Sequence, residues 1–95
     1  MELTVKRKKS LDYGMYGKVP PQAKELEEVI LGGLMLDVSA VYLGMSRLFP
    51  EIFYVDAHQK IFKSIQNLYD KNQKIDILTV IEQLKKNEEL DYYYS

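Results

Sequence analysis

A single helical stripe in the second half of the chain constrains the fold most strongly. Its members recur at intervals of three and four positions: His58, Ile61, Phe62, Ile65, Leu68 and Tyr69. This spacing places side chains on one face of an α-helix. We therefore predict an amphipathic helix here, with Asp56 as its N-terminal cap.

A first helix is predicted between Pro20 and Leu36, because proline is tolerated in the first turn of a helix. Its apolar positions are numerous enough to predict burial on two sides: Leu26, Val29, Ile30, Leu31, Gly33, Leu34, Met35 and Leu36. The Gly32-Gly33 pair lies inside this helix, where each glycine costs about 1 kcal/mol relative to alanine. We expect the close approach of a neighbouring helix, in the same subunit or another, to compensate for that cost.

Two more helices complete the predicted fold, a short one between Ala40 and Pro50 and another that begins after Asp76. Asp76 is expected to cap the last helix by accepting a hydrogen bond from the backbone of Thr79. Lys85 and Lys86 are expected in its last turn, where positive charge suits the helix dipole. No segment alternates like a strand, so we predict an all-α fold, a compact bundle of four to five short helices.

The charges divide the chain into two unlike parts. The protein has 95 residues, enough for one domain, and a formal net charge of −1. Residues 1–18 contain five bases and two acids, a net +3, while residues 19–95 contain eight bases and twelve acids, a net −4. We predict a disordered basic leader over residues 1–18 and a helical head over residues 19–95.

Composition excludes several classes of protein. With no cysteine, the chain has no disulfide framework, no zinc–thiolate site and no thiol nucleophile, and it is compatible with a reducing cytoplasm. The longest apolar run, Val29 to Leu36, is far shorter than the roughly 20 residues that cross a bilayer. No secretory signal follows the basic residues of the leader. We therefore predict no membrane partner.

No catalytic, cofactor-binding or metal-binding residue is predicted in this sequence. His58 is the only histidine, and its place on the apolar stripe predicts a buried ring with a satisfied nitrogen. Gly32 and Gly33 lack the spacing of a phosphate-binding loop. Adjacent acids such as Glu27 and Glu28 diverge on a helix, so solvated faces explain them better than acid–base catalysis.

The leader raises one alternative function. Four consecutive basic residues are candidate phosphate contacts: Lys6, Arg7, Lys8 and Lys9. The alternative is a free-standing, small helical DNA-binding regulator that uses this leader. Salt-dependent binding to duplex DNA, lost on deletion of residues 1–18, distinguishes it from a domain with an acidic, non-binding body.

Several sequence blocks together resemble the N-terminal domain of bacterial replicative DNA helicases of the DnaB type. The blocks are PPQ at 20–22, ILGGLMLD at 30–37, FY at 53–54, His58, IF at 61–62 and IDILTV at 75–80. The resemblance covers residues 19–90 and implies an all-helical head without a catalytic site. It implies that the parent protein is a cytoplasmic hexamer that unwinds duplex DNA at the replication fork. ATP and Mg²⁺ then belong to a motor domain outside this chain.

The resemblance also implies partners, namely other subunits of the hexamer, primase, and DNA through the parent protein. Family members usually continue after the position of Leu90 with a Gly-Gly turn and a helical hairpin that pairs subunits. Here Asp91 and three adjacent tyrosines, Tyr92 to Tyr94, stand instead. Because such tyrosines cannot all be buried on one helix face, we expect that the chain is cut at this point and lacks the hairpin.

Overall fold

The computed structural model describes residues 21–94, which form four α-helices and a short 3₁₀ helix. The helices are α1 (Pro21–Leu36), α2 (Val38–Arg47), α3 (Asp56–Asp70) and α4 (Ile77–Tyr94), and the 3₁₀ helix spans Pro50–Ile52. No strand occurs within residues 21–94, so the prediction of an all-α bundle is confirmed. The predicted disordered leader, residues 1–18, lies outside the described residues.

The predicted stripe of α3 lies at the centre of the core. Phe62 and Ile65 are completely buried, and the rings of Phe53 and Phe62 lie 5.3 Å apart at an angle of 40°. Burial of each such side chain contributes roughly 1.5–3 kcal/mol to stability. Leu68 of α3 is also buried, and the other helices supply the remaining buried apolar side chains: Leu31, Leu34, Val41 and Val80.

Only one side of α1 is buried within the described residues. Leu31 and Leu34 face α2 and α3, whereas Leu26, Val29 and Leu36 are 60%, 69% and 90% exposed. The prediction that this helix is buried on two sides is therefore wrong for residues 21–94. Its apolar face is wider than the surface that α2 and α3 can cover.

The glycine that permits close helix packing is Gly44 in α2. A Cβ atom at Gly44 would lie 3.0 Å from Cδ2 of Leu34 in α1, whereas a Cβ at Gly32 or Gly33 would meet nothing within 4 Å. The expected close approach at Gly32 and Gly33 is therefore wrong within the described residues. Contact with another subunit at these glycines stays a prediction.

The N-termini of α2 and α3 are capped in different ways. Asp37 caps α2 by accepting a 2.9 Å hydrogen bond from the backbone N–H of Ser39. The cap position of α3 is held by Val55, whose side chain cannot bond, and Asp56 is the first helical residue. The prediction that Asp56 caps α3 is therefore wrong, although its charge still suits the positive end of the helix dipole.

Asp76 caps α4 as predicted. Its Oδ1 accepts a hydrogen bond of 2.9 Å from the backbone N–H of Thr79, and the backbone N–H of Asp76 donates to the Thr79 hydroxyl, also at 2.9 Å. The Thr79 backbone bond is the main reason that the pKa of the Asp76 carboxyl is below its ordinary value. Lys74, 3.7 Å away, acts in the same direction.

The loop between α3 and α4 begins with a tight helix end. Asn72 has a positive φ of 57°, and its backbone N–H donates to the carbonyl of Tyr69. The next backbone N–H, of Gln73, reaches the carbonyl of Leu68 at 2.9 Å. These two bonds are those of a Schellman motif, and asparagine tolerates the left-handed conformation that it requires.

α4 is longer than its apolar pattern predicts. It continues to Tyr94, so Lys85 and Lys86 lie in the middle of the helix and not in its last turn. That prediction is wrong because the sequence from Asn87 onward has no clear apolar period. Tyr92, in the final turns, is exposed.

Candidate protein-interaction surface

A buried carboxylate joins α1 to the start of α3. Oε1 of Glu27 lies 2.7 Å from Nδ1 of His58, and both side chains are buried. The carboxylate also accepts hydrogen bonds from the backbone N–H groups of Tyr54 at 2.7 Å and Val55 at 3.3 Å. Because an ionised carboxylate only accepts, Nδ1 of His58 carries the donated proton.

This arrangement confirms that His58 is a buried histidine with a satisfied ring nitrogen. Its other ring nitrogen, Nε2, lies 3.9 Å from the half-exposed carboxylate of Glu28. All the close partners of Glu27 are donors from one short segment, so the cluster positions that segment against α1. Sequence reasoning missed Glu27 as a buried residue. The available signal was its spacing of four and seven from Leu31 and Leu34, which places all three on one helix face.

A second polar cluster lies between α3 and α4. Asn87 donates to Oδ1 of Asn67 at 2.9 Å and to the hydroxyl of the fully buried Ser64 at 3.3 Å. Gln83 donates to Oδ1 of Asn87 at 2.9 Å and accepts a bond of 3.1 Å from Nζ of Lys71. Because every amide here has a partner, the cluster fixes the register of the two helices.

Neither polar cluster resembles a catalytic or metal site. Within residues 21–94, no three His, Cys, Asp or Glu side chains are placed to hold a metal ion. The candidate phosphate contacts Lys6, Arg7, Lys8 and Lys9 lie outside the described residues. Among the described helices, none is both long enough and apolar enough to span a bilayer.

A concavity lies where α1 meets α2, opposite the loop between α3 and α4. We call it the corner groove; its volume is about 570 Å³, and it is formed by residues 35–38, Val41, Tyr42, Tyr69 and residues 72–76. At its rim, Leu36 and Val38 are 90% and 82% exposed. Apolar side chains that are this exposed and that surround a groove are typical of protein-binding surfaces.

A second uncovered apolar surface follows the outward side of α1. Leu26, Val29 and Leu36 lie at intervals of three and seven on this side, with the exposed Gly33 between the last two. We call this the outward face of α1. Since a Cβ at Gly33 would meet nothing, the backbone here is open to close contact with another helix.

Comparisons with known proteins identify what this chain is similar to. The family model described as the DnaB-like helicase N-terminal domain matches residues 19–94. A replicative DNA helicase DnaB of Rhodothermus marinus is 43% identical over 75 residues, which are 79% of this chain and 8% of that protein.

Two more relatives have the same name. The protein of Treponema pallidum (strain Nichols) is 41% identical over 76 residues, covering 80% of this chain and 17% of the relative. That of Geobacillus stearothermophilus is 38% identical over 74 residues, covering 78% of this chain and 16% of the relative. The chain therefore matches less than a fifth of the length of each of these relatives.

Proposed function

Since this chain belongs to the DnaB-like helicase N-terminal domain family, we propose that it is a non-catalytic assembly and docking domain of a replicative DNA helicase. In this proposal the domain supports the subunit contacts of a hexamer and docks primase. The full-length protein works in the cytoplasm on DNA at the replication fork.

The observation that carries this proposal is the extent of uncovered apolar surface. The corner groove and the outward face of α1 both expose large side chains, with Leu36 belonging to both. Exposed apolar area of this kind is unfavourable in water unless another surface covers it. Contact with other protein chains would cover this area and explains why the sequence has large apolar side chains there.

ATP hydrolysis is assigned to a separate motor domain of the full-length protein, with Mg²⁺ as its metal ion. The relatives that are named as helicases are six to twelve times longer than the segment they share with this chain, so most of each relative lies outside the match. A phosphate-binding G-x-x-x-x-G-K-[ST] motif in the same reading frame is the expected mark of that motor domain.

We assign subunit contacts to the outward face of α1, because Gly33 permits the close approach of another helix there. Light scattering of the full-length protein tests this assignment with Val29→Asp, which places a charge on an exposed position of that face. We expect the hexamer to dissociate into smaller species. Lys24→Gln is the matched control, since it changes the charge by the same amount at an exposed position of α1 that lies on a different side of the helix from Leu26 and Val29. An unchanged hexamer with Val29→Asp contradicts the assignment.

A further inference from the structure

A second concavity lies beside the first half of α1. We call it the α1 groove; it has a volume of about 260 Å³ and lies between α1 and the segment that follows α2. The apolar side chains that line it are Ala23, Leu26, Ile30, Leu48, Ile52 and Phe53. The groove is thus separate from the corner groove, which lies at the other end of α1.

The α1 groove is open to water along its apolar rim. Leu26 is 60% exposed on one side, and Ile52 is 46% exposed on the other. Phe49, which precedes the 3₁₀ helix, is also exposed. A groove with two apolar rims is suited to an extended segment that carries large apolar side chains.

The nearest candidate for that segment is the chain itself. α1 begins at Pro21, two residues before Ala23 at the start of the groove, so residues 1–20 join the domain at this point. Residues 11–19 contain five apolar or aromatic side chains: Leu11, Tyr13, Met15, Tyr16 and Val19. An extended chain advances up to about 3.5 Å per residue, so these side chains can reach the whole groove.

Two further properties favour the leader as the occupant of the α1 groove. A tethered segment has an effective concentration on the order of millimolar, so even weak apolar contacts produce substantial occupancy. Residues 11–19 contain one acid, Asp12, and one base, Lys18, so the segment has no net charge that opposes its entry into an apolar groove.

We propose that residues 11–19 pack into the α1 groove of the same chain, with Tyr13 and Tyr16 as the aromatic anchors. Tyrosine suits this role because its ring can contact Leu26 and Ile52 while its hydroxyl stays in water. The proposal differs from the sequence expectation that the whole leader, residues 1–18, is disordered.

Methyl NMR spectra of the full 95-residue chain test the proposal. In the wild-type chain, nuclear Overhauser contacts are expected between the ring protons of Tyr13 and Tyr16 and the methyl groups of Leu26 and Ile52; the ring protons of Tyr54, which also lines the groove, are assigned separately. The double variant Tyr13→Ser, Tyr16→Ser is expected to lose these contacts and to shift both sets of methyl resonances. Val80 in the core is the internal reference, and its methyl resonances are expected to stay unchanged.

The matched control is the double variant Lys6→Ser, Lys8→Ser, which alters the same leader outside residues 11–19. We expect it to retain the contacts to the α1 groove. The proposal is overturned if the tyrosine variant leaves the groove methyl resonances unchanged, or if both variants shift them equally. It is also overturned if the contacts weaken on dilution, because a second copy of the chain then occupies the groove.

Discussion

At Glu27, one buried carboxylate holds α1 against the segment that leads into α3. It accepts hydrogen bonds from His58 and from the backbone N–H groups of Tyr54 and Val55. Glu27→Ala leaves the buried ring N–H of His58 and two part-buried backbone N–H groups without their acceptor. We expect a loss of about 3–5 kcal/mol in the free energy of unfolding, measured by urea denaturation followed by circular dichroism.

Glu28→Ala is the control for this prediction. Glu28 is the neighbouring acid, is half exposed, and lies 3.9 Å from Nε2 of His58. Its removal is expected to change the free energy of unfolding by no more than about 0.5–1 kcal/mol. Equal effects of the two substitutions show that the buried carboxylate is not the link between α1 and α3.

Asp76 makes the free energy of unfolding depend on pH under acidic conditions. Its pKa is lowered in the folded state, chiefly by the backbone N–H of Thr79, so folding favours the ionised carboxyl. The stabilisation is complete above the unfolded value of about 4 and is lost as the pH falls through the lower, folded value.

Asp76→Asn tests this dependence, because asparagine retains the cap but has no charge to titrate. We expect the wild type to have the higher urea midpoint at about pH 7, and the difference to shrink as the pH falls below about 4. The prediction fails if the difference between the two proteins is independent of pH.

At the scale of single residues, sequence spacing predicted the burial of His58 and the cap at Asp76. It did not predict the partner of His58, because Glu27 is charged and its acceptor role depends on backbone groups 27 and 28 positions away. It was wrong at Asp56, since the choice between adjacent cap positions depends on the backbone conformation of Val55.

At the scale of helices, Gly32 and Gly44 have different roles that sequence alone could not separate. A Cβ at Gly32 meets nothing within 4 Å, so Gly32→Ala is expected to raise the free energy of unfolding by about 0.5–1 kcal/mol. In Gly44→Ala, the new Cβ lies 3.0 Å from Leu34, and the crowding offsets the gain in helix propensity.

Thermal unfolding of the two variants measures this difference. We expect Gly32→Ala to unfold at a higher temperature than the wild type and Gly44→Ala to show no increase. Equal increases at both positions mean that α1 and α2 are not in close contact at Gly44. A decrease for Gly32→Ala contradicts the open surroundings of that glycine.

The existence of each helix could be predicted because every one carries an apolar stripe with a period near 3.6 residues. The length of α4 could not be predicted in this way. Its second half is held to α3 by Asn87, which bonds to Asn67 and Ser64, and amide side chains add nothing to an apolar pattern.

At the scale of the whole molecule, the buried core occupies only one side of α1. The sequence predicted burial on both sides because apolar spacing reports which faces avoid water and not which molecule covers them. The outward face of α1 and the corner groove thus remain uncovered within residues 21–94. Under the proposed function, other protein chains cover this surplus of apolar surface.

Calorimetric titration of this chain with the C-terminal domain of primase tests the docking role most directly. We expect saturable binding, and at least a tenfold loss of affinity, about 1.4 kcal/mol, for Leu36→Asp combined with Val38→Asp at the rim of the corner groove. Both positions are exposed, so the helical circular dichroism spectrum is expected to stay unchanged. Gln22→Asp is the control and is expected to bind like the wild type. Absence of binding, or equal affinity for the wild type and the rim variant, contradicts docking through the corner groove.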